Sequence, residues 1–383
     1  MRAGLVTGEF PPMHGGVGDF TCQLGQALAA RGVEVHVLTS RRAMGSPDLA
    51  GLAVHPVIER WSFLSLLHVR GFARWLKLDL LNLQYQAAAY GLSAPIHFLP
   101  RLAGLPVVVT FHDLRIPYLF PKAGRLRPAA VTHLARSAAG VIATDGADAE
   151  ELRRRGGIAH LVQIPIGSNI AARPPDGYDR EAWRARLGVR PDELLLAYFG
   201  FLNESKGGDT LISALGILDD RKAPVRLLLI GGPTGASDAS NAAFQAQIER
   251  QIKRYDLERR IIRTGFVEAE QVSGHLLASD VVVLPYRDGV SYRRGSLQAA
   301  LAHGCAVITT EPAERLPELR DGDNIRLVPP ESASALVLAI TELMQAPALR
   351  ARLGQGAREL ASNFSWDTIA ARTLGFYQSL ITP

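Results

Sequence analysis

Two adjacent arginines stand directly before a predicted helix, and this arrangement is suited to binding an anion. The segment Leu284–Thr310 comprises a short apolar strand, a loop, a small-residue helix and a second apolar strand. Arg293 and Arg294 can bind a diphosphate through several N–H groups. The amides of Gly295 and Ser296 begin the helix, whose dipole adds about half a positive charge at this end. We therefore expect a phosphate site here, with two solvated surface arginines as the alternative.

Lys206 is the second cation expected to contact a diphosphate. Only five of the 42 basic residues are lysines, and this one follows a predicted strand and precedes Gly207-Gly208 and a helix. A compact ammonium at the carboxyl end of a parallel strand can stabilise negative charge that builds on a leaving group. An ordinary surface lysine is the alternative.

A histidine and a glycine loop are the candidates in the first half of the chain. His112 follows a predicted strand at residues 106–111 and is expected to point into the crevice where doubly wound folds bind ligands. A hydrogen-bonded structural histidine is the alternative. Gly15, Gly16 and Gly18 follow the first strand, so their amides are expected near a sugar and phosphate. A tight turn requiring positive φ is the alternative.

The composition excludes several classes of protein. The chain has 383 residues, which suggests two domains, and its formal charge of +5 is spread without a basic stripe or aromatic-basic motif. Nucleic-acid binding is therefore not expected, whereas anionic small molecules or an anionic membrane surface suit the charge. With two cysteines, no secretory signal and no run of about 18 apolar residues, we expect a cytoplasmic protein.

Short apolar runs alternate with helical patterns, which predicts an α/β fold of parallel strands covered by helices. A break at Gly167–Tyr178, which contains Pro174-Pro175-Asp176-Gly177, divides the chain into predicted domains at 1–172 and 173–363. Six strands are expected in each half. They are predicted at residues 3–6, 33–38, 78–83, 106–111, 140–143, 161–164, 194–199, 225–230, 260–264, 281–284, 306–309 and 325–328.

The motifs resemble those of the retaining, GT-B-fold glycosyltransferases of family 4, in the same order along nearly the whole chain. The resemblance includes the GGVG loop, Thr110–Asp113, IPIGSN at 164–169, Lys206-Gly207, Gly265-Phe266-Val267, ASDVVVLP at 278–285 and AHGCAVITT at 302–310. It implies two Rossmann-like doubly wound domains facing across a cleft. It also implies a C-terminal helix, within 364–383, that packs back on the first domain.

The resemblance also implies the layout of the site. The nucleotide-sugar donor would lie on the second domain, with its base near Phe266 and Val267 and its diphosphate on Lys206, Arg294 and the Gly295-Ser296 amides. His112 would lie against the transferred sugar, and the acceptor would approach from the first domain. No cofactor and no metal are expected, because lysine and arginine can neutralise the diphosphate.

The chain departs from the family at its paired glutamates. Ser291 and Ala299 occupy those two positions, which marks a variant subgroup, and Phe201 replaces an arginine. Asp288 is able to replace the first glutamate by contacting sugar hydroxyls, although a surface carboxylate or an arginine partner is an equal alternative. Because Ala299 cannot receive ribose hydroxyls, a deoxyribose donor and ribose contacts from elsewhere both stay open.

The expected function is therefore that of a retaining glycosyltransferase acting on an acceptor hydroxyl in polysaccharide or glycoconjugate biosynthesis. The acceptor is a glycan, a lipid-linked sugar or a small molecule, and the oligomeric state is open. A catalytically silent GT-B-like partner of an active transferase is the alternative, and a GT-B-fold epimerase is a weaker one. Residues 61–77 mix aromatic and basic side chains, so peripheral contact with the inner face of a membrane is a further possibility, against an ordinary core-facing helix.

Overall fold

The computed structural model of the chain describes residues 1–13, 15–114, 126–200, 202–232 and 239–381. Its strands are β1 Arg2–Val6, β2 Glu34–Ser40, β3 Leu52–Ile58, β4 Leu80–Tyr85, β5 Val107–Phe111, β6 Gly140–Ala143, β7 Leu161–Gln163, β8 Leu194–Phe199, β9 Val225–Ile230, β10 Ile261–Arg263, β11 Val281–Leu284, β12 Val307–Thr310 and β13 Arg326–Val328. Its α-helices are α1 Gly16–Ala30, α2 Phe63–Trp75, α3 Leu99–Leu102, α4 Leu126–Ser137, α5 Gly146–Arg155, α6 Arg180–Arg186, α7 Gly208–Asp220, α8 Ala239–Arg254, α9 Ala269–Ala278, α10 Gly295–Ala302, α11 Ala333–Gln345, α12 Pro347–Ala361 and α13 Trp366–Ile381.

The chain forms two compact units, each with its own sheet. Unit 1 comprises Met1–Asn169 and Phe364–Pro383, and unit 2 comprises Ile170–Asn363. The sheet of unit 1 has the strand order β3-β2-β1-β4-β5-β6-β7, and that of unit 2 has the order β10-β9-β8-β11-β12-β13. Every pairing between these strands is parallel. The predicted α/β class with two doubly wound sheets is therefore confirmed.

The strands form because their apolar runs can be buried on both faces. Each residue of β4 and β5 is buried, as are the four residues of β6 and of β11. Parallel strands that are covered by helices on both sides require such continuous apolar sequences. All strands of a sheet point the same way, so the loops at their carboxyl ends lie along one edge.

One strand, β3, was not expected. Its apolar sequence LAVHPVI is interrupted by His55 and Pro56, and only its last residue is fully buried. It lies at the end of the sheet beside β2, where a proline lacking an N–H is tolerated. The boundaries of the remaining twelve strands lie within two residues of their predicted positions.

The C-terminal helix α13 belongs to unit 1, where it packs against α1. The indole N–H of Trp366 donates to the carbonyl of Ser168 at 2.7 Å. Inside the unit, the buried Asn82 side chain donates its N–H to the Tyr377 hydroxyl and accepts from Thr110 at 2.9 Å. These bonds join the last helix of the chain to two central strands of the first sheet.

None of the helices in the described part of the chain is both long and apolar enough to cross a bilayer.

Replacing Tyr377 by phenylalanine is expected to lower the free energy of unfolding by about 1–3 kcal/mol, because the substitution leaves a buried Asn82 N–H without its acceptor. Urea titration followed by circular dichroism measures this loss. Tyr255→Phe is the control, since Tyr255 is 40% exposed and its hydroxyl can bind water. An unchanged midpoint in Tyr377→Phe would contradict the structural role of the bond.

Candidate functional site

Lys206 stands in the loop that follows β8. A short 3-10 turn covers Glu204–Lys206, and the side-chain oxygen of Asn203 accepts the Lys206 amide at 3.2 Å. Gly207 then takes a left-handed conformation with φ of 64°, and a Cβ there would lie 1.9 Å from the carbonyl oxygen of Pro285. Glycine is therefore required, both for the backbone angle and for the close approach of the loop after β11.

Arg287 joins these two loops by several polar contacts. Its amide donates to the carbonyl of Ser205 at 3.0 Å. Its guanidinium donates to Glu204 at 2.8 Å and to Asp209, and it lies 3.5 Å from Glu331. An arginine with three carboxylate neighbours links the loops more firmly than a single surface ion pair would. Arg287 thus holds the Lys206 loop beside the loop that contains the predicted arginines.

The ammonium of Lys206 lies in a half-buried position next to the carboxyl end of β8. A Cβ built on Gly200, whose φ is 121°, would be 2.8 Å from Lys206 Nζ. Burial lowers the pKa of Lys206 from 10.5 to about 8, and the charge of Arg294 lowers it further in the same direction. The structure therefore brings these two predicted cations into one electrostatic environment, where an anion would relieve their repulsion.

Arg294 is the residue immediately before α10, and its guanidinium is held from two sides. It lies over the ring of Tyr286, 4.7 Å from the ring centroid, and it donates to Asp288. Of the alternatives for Asp288, the structure shows the arginine partner. The Tyr286 hydroxyl bonds with the Ser296 hydroxyl at 2.7 Å and also bonds the Leu297 amide. Tyr286, which the sequence did not single out, therefore organises the start of this helix.

The other residues of this loop are in place around Arg294. Gly295 is exposed at the first position of α10, and Arg293 is half-buried beside Arg294. The carbonyl of Ser291 accepts the Arg294 amide at 3.2 Å. Ala299 is fully buried within the helix, and the first turn of α10 has no acidic residue. At the two positions of the family glutamates, Ser291 thus contributes a backbone carbonyl and Ala299 a methyl group, in place of two carboxylates.

A small pocket lies at the carboxyl ends of β8, β9 and β10. It measures about 110 Å³ and is lined partly by glycines, with an ion pair of 3.0 Å between Glu249 and Arg263 among its residues. The glycines are Gly200, Gly231, Gly232 and Gly265. The Thr264 hydroxyl accepts the Gly231 amide at 3.2 Å. Gly231-Gly232 directly follows β9, so the pattern that singled out the first glycine loop would also have found this one.

The predicted base-contacting residues are beside this pocket in sequence but do not line it. Phe266 is 75% exposed and Val267 is half-buried. Phe201, which occupies the family arginine position, lies outside the described residues. An exposed aromatic ring next to a glycine-lined pocket is free to stack on a flat ligand group.

His112 occupies the carboxyl end of β5 in unit 1. Its Nε2 lies 2.9 Å from Gln84 Oε1, and because that oxygen only accepts, Nε2 bears the hydrogen. Its ring is edge-on to Phe20 at 4.7 Å between centroids. Burial lowers the pKa of His112 to about 3. The imidazole is therefore neutral near pH 7, with Nδ1 as its acceptor.

Gln84 is fully buried, and its Nε2 has no hydrogen-bond partner among the described residues. A buried donor without an acceptor costs free energy, and such groups are found where a ligand or water completes the bonding. The pair of Gln84 and His112 is therefore a polar position at the ligand-binding edge of the first sheet.

The glycine loop of unit 1 surrounds a carboxylate. Glu9 Oε1 accepts the amides of Val17 at 3.1 Å and Gly18 at 3.4 Å, and a Cβ on Gly15 would lie 2.1 Å from the same oxygen. Burial raises the pKa of Glu9 above its ordinary 4.5, although those amide bonds act in the opposite direction. The N-terminus of α1 thus already binds an internal anion, and any external phosphate would have to compete with it.

The positive-φ alternative for this loop is wrong. Gly15 has a φ of 178°, which is extended backbone, and neither Gly16 nor Gly18 is among the residues with positive φ. Close packing is the feature that Gly15 and Gly18 share instead. A Cβ on Gly15 would meet the Glu9 carboxylate, and one on Gly18 would lie 3.1 Å from the Glu9 carbonyl oxygen, so a larger residue at either position would require its neighbours to shift. Gly16 has open space around it.

The candidates are thus divided between the units. Lys206 and Arg294 lie together in unit 2, whereas His112 and the glycine loop lie in unit 1. That all of them contact one ligand stays a prediction. Among the residues that the structure describes, no group of three or more His, Cys, Asp or Glu side chains is placed to hold a metal ion.

Comparison with known proteins assigns the class. Two family models match successive parts of the chain: the glycosyl transferase 4-like domain over residues 15–167 and glycosyl transferases group 1 over residues 179–360. The two parallel-sheet units match solved GT-B glycosyltransferases over their whole length. The chain therefore belongs to the GT4-like glycosyltransferases of GT-B fold.

Individual relatives are similar along nearly all of the chain. A D-inositol 3-phosphate glycosyltransferase from Arthrobacter sp. (strain FB24) is 27% identical, over 96% of this chain and 90% of the relative. The enzyme of the same name from Streptomyces scabiei (strain 87.22) is 26% identical over 98% and 90%.

Two solved structures share the fold. Sucrose-phosphate synthase from Thermosynechococcus elongatus matches with a TM-score of 0.76 and 24% identity, over 99% of each chain. Anabaena HepE, solved in complex with UDP and glucose, matches with a TM-score of 0.76 and 20% identity, over 99% of this chain and all of that one.

Lys206→Met is expected to stabilise the protein at pH 7 by roughly 2 kcal/mol, because it removes a charge whose burial is unfavourable. The pH dependence of this stability difference follows from the lowered pKa of Lys206. Between pH 8 and 10.5 the unfolded lysine binds a proton that the folded one has lost, so wild-type stability rises with pH and the advantage of the variant disappears. Chemical denaturation across pH 7–10.5 measures this. Lys253→Met is the exposed control, and parallel curves for Lys206→Met and wild type would contradict the burial of the charge.

Glu9→Gln tests the internal anion at α1. Because the folded pKa of Glu9 is raised, the wild type loses stability as pH rises from 4.5 through that pKa, whereas the neutral amide does not. The Tm of the variant should therefore exceed that of the wild type by an amount that grows between pH 4 and 7. Calorimetry measures it, with the exposed Glu59→Gln as the matched control. A constant difference at all pH values would show that Glu9 is not desolvated.

Proposed function

We propose that this glycosyltransferase transfers a sugar from a nucleoside-diphosphate sugar to an acceptor hydroxyl, with retention of the anomeric configuration and without a metal ion. The observation that carries the proposal is the pair of Lys206 and Arg294 in unit 2. The pKa of Lys206 is lowered to about 8 by burial and by the charge of Arg294. A diphosphate bound beside both would favour the charged form of the lysine and raise its pKa.

The diphosphate of the donor would take its position between these cations. Arg294 is fixed over Tyr286 at 4.7 Å, so its planar group is pre-organised, and only its ion pair with Asp288 has to adjust. Asp288 is partly exposed, with 44% of its side chain accessible, so water can solvate it when the ligand binds. The exposed amide of Gly295 adds a donor at the helix N-terminus.

The nucleoside would occupy the glycine-lined pocket next to Lys206. Gly200 belongs to that pocket and also contacts the lysine, so a nucleoside there places its phosphates at the two cations. Phe266 would then cover the base. Anabaena HepE was solved with UDP and with UDP-glucose, which supports a uridine donor as the first to test.

In the proposed reaction the bond between the anomeric carbon and the leaving phosphate oxygen breaks, and both electrons stay on the phosphate. The acceptor oxygen bonds to the same face of the sugar, and its proton passes to the departing phosphate. Lys206 and Arg294 stabilise the charge of that phosphate. Neutral His112 offers an acceptor atom to a sugar hydroxyl, and positioning replaces a protein nucleophile. The missing glutamates at Ser291 and Ala299 are compatible with such a reaction.

One observation favours the alternative of a silent nucleotide-binding partner. Neither glutamate position carries an acid, and Arg294 pairs with the internal carboxylate of Asp288. A protein that binds a nucleotide through Lys206 and Arg294, but neither hydrolyses the nucleotide sugar nor transfers its sugar, would have the same site. The acceptor is proposed only as a hydroxyl of a glycan, a lipid-linked sugar or a small molecule.

Isothermal titration with UDP and UDP-sugars, followed by a nucleotide-release assay, tests the proposal. Lys206→Ala and Arg294→Ala should each weaken UDP binding by about 10-fold or more and slow turnover by roughly 100-fold, since each removes a donor to developing charge. Lys253→Ala, on α8 of the same unit, is the control. In the wild type UDP affinity should fall about tenfold from pH 7 to pH 9, as a lysine of pKa about 8 deprotonates, and Lys206→Arg should abolish that dependence.

The outcomes separate the two functions. Binding that depends on both cations but yields no product with any donor and acceptor supports the silent partner. If UDP affinity changes neither in Lys206→Ala and Arg294→Ala nor with pH, the assignment of the diphosphate site is overturned.

A further inference from the structure

The exposed face of helix α2 in unit 1 is apolar. A surface helix ordinarily buries one apolar stripe and exposes charged residues. Here the buried stripe is Ser65, Leu66, Val69 and Ala73. The opposite face nevertheless exposes Phe63 by 54%, Leu64 by 71%, Leu67 by 50% and Trp75 by 72%.

These side chains extend from a firmly positioned helix. Ser62 and Ser65 form a reciprocal capping box at its start, and the preceding Trp61 packs edge-on against Tyr90 at 4.8 Å. The carbonyl of Trp61 also accepts a hydrogen bond from the Ser93 hydroxyl at 2.7 Å. The exposure is therefore a property of the fold and not of a loose segment.

A fifth side chain extends the surface. The ring of Phe98, which is 39% exposed, lies 5.6 Å from that of Phe63. We call Phe63, Leu64, Leu67, Trp75 and Phe98 the α2 patch. Its exposed apolar area is on the order of 500 Å², which is the size of the largest apolar patch on a typical monomer, a feature that often has a function. A standard dimer interface buries about 800 Å² on each partner, of which roughly 60% is apolar, so the charges around the patch, rather than its area, distinguish a lipid surface from a second copy of the chain.

The charges around the patch are mostly positive. Residues 60–77 contain four basic residues and no acidic one. Arg60 is exposed just before the helix, and Arg74 and Lys77 are exposed at its other end. The flanking acids are Glu59, which lies 4.0 Å from Arg41, and Asp79, which accepts the Arg2 amide at 2.7 Å.

Cationic side chains continue beyond Phe98. Its ring lies 5.2 Å from His133, which lines a depression of about 620 Å³ together with Arg101 and Arg136. Glu151 is the acid in this depression, and Arg154 and Arg155 pair with it. A positively charged depression directly beside exposed aromatic rings suits phosphate headgroups above buried acyl chains.

We propose that the α2 patch and its flanking cations dock this protein onto the surface of an anionic phospholipid bilayer. Trp75, Leu64 and Leu67 enter the boundary between headgroups and acyl chains, while Arg74 and Lys77 contact lipid phosphates. This surface attachment is separate from the proposed sugar transfer, and its test does not depend on that activity.

Co-sedimentation with vesicles tests the proposal. The 383-residue chain should pellet with vesicles of phosphatidylcholine containing about 30% phosphatidylglycerol and remain in the supernatant with phosphatidylcholine alone. About 0.5 M NaCl should weaken the binding, because the Debye length falls well below that at physiological salt.

Two double variants separate the apolar and charged parts. Leu64→Ser/Trp75→Ser and Arg74→Glu/Lys77→Glu should each reduce vesicle partitioning at least tenfold. Both leave the candidate donor site untouched, so UDP binding should not change. Leu338→Ser is the matched control, since Leu338 is 69% exposed on α11 of unit 2. Its partitioning should equal that of the wild type.

Three results would overturn the proposal. The first is a wild type that does not pellet with anionic vesicles, and the second is a wild type that pellets equally with neutral ones. The third is a wild type that is a dimer in analytical ultracentrifugation while the Leu64→Ser/Trp75→Ser variant is a monomer. The last result would assign the patch to a second copy of the chain.

Discussion

The close approach of Gly207 to the Pro285 carbonyl is the constraint on which the candidate donor site depends. No residue with a Cβ fits there, because that atom would lie 1.9 Å from the oxygen. Arg287 maintains the approach by bonding Ser205, Glu204 and Asp209 across the two loops. As a result Lys206 and Arg294, which are far apart in the sequence, are close enough that the charge of Arg294 lowers the pKa of Lys206.

The site is electrostatically unfavourable without a ligand, which is typical of binding sites. Burial lowers the pKa of Lys206, and Arg294 adds repulsion. The protein offsets part of this by placing Asp288 on Arg294 and the ring of Tyr286 beneath it. A diphosphate would replace the internal carboxylate with a stronger partner. The loss of the two family glutamates is thus accompanied by an arginine whose orientation is determined by neighbours on its own loop.

The polar groups of unit 1 are in a different environment from the cations of the candidate donor site. His112 is kept neutral by burial, and Glu9 supplies the anion at the N-terminus of α1 that a ligand would otherwise provide. In the same unit, α2 exposes the apolar and basic groups that we assign to a bilayer surface. The same unit therefore offers two surfaces of opposite character, one for polar ligands and one for lipid.

The sequence by itself determined the fold class, because short continuous apolar runs that alternate with helical patterns indicate parallel strands buried on both faces. It missed β3, whose apolar run is interrupted by His55 and Pro56, and a proline is tolerated in a strand at the end of the sheet. Lysine scarcity and the arginine pair also sufficed to select Lys206 and Arg294. Only the tertiary structure decided what surrounds these two cations. Tyr286 lies under Arg294 on the same loop, and Arg287 joins that loop to the Lys206 loop. The folded structure likewise showed that Glu9 accepts the first amides of α1. It also decided that Asp288 faces an arginine, because side-chain pairing depends on where the folded loops place each charge.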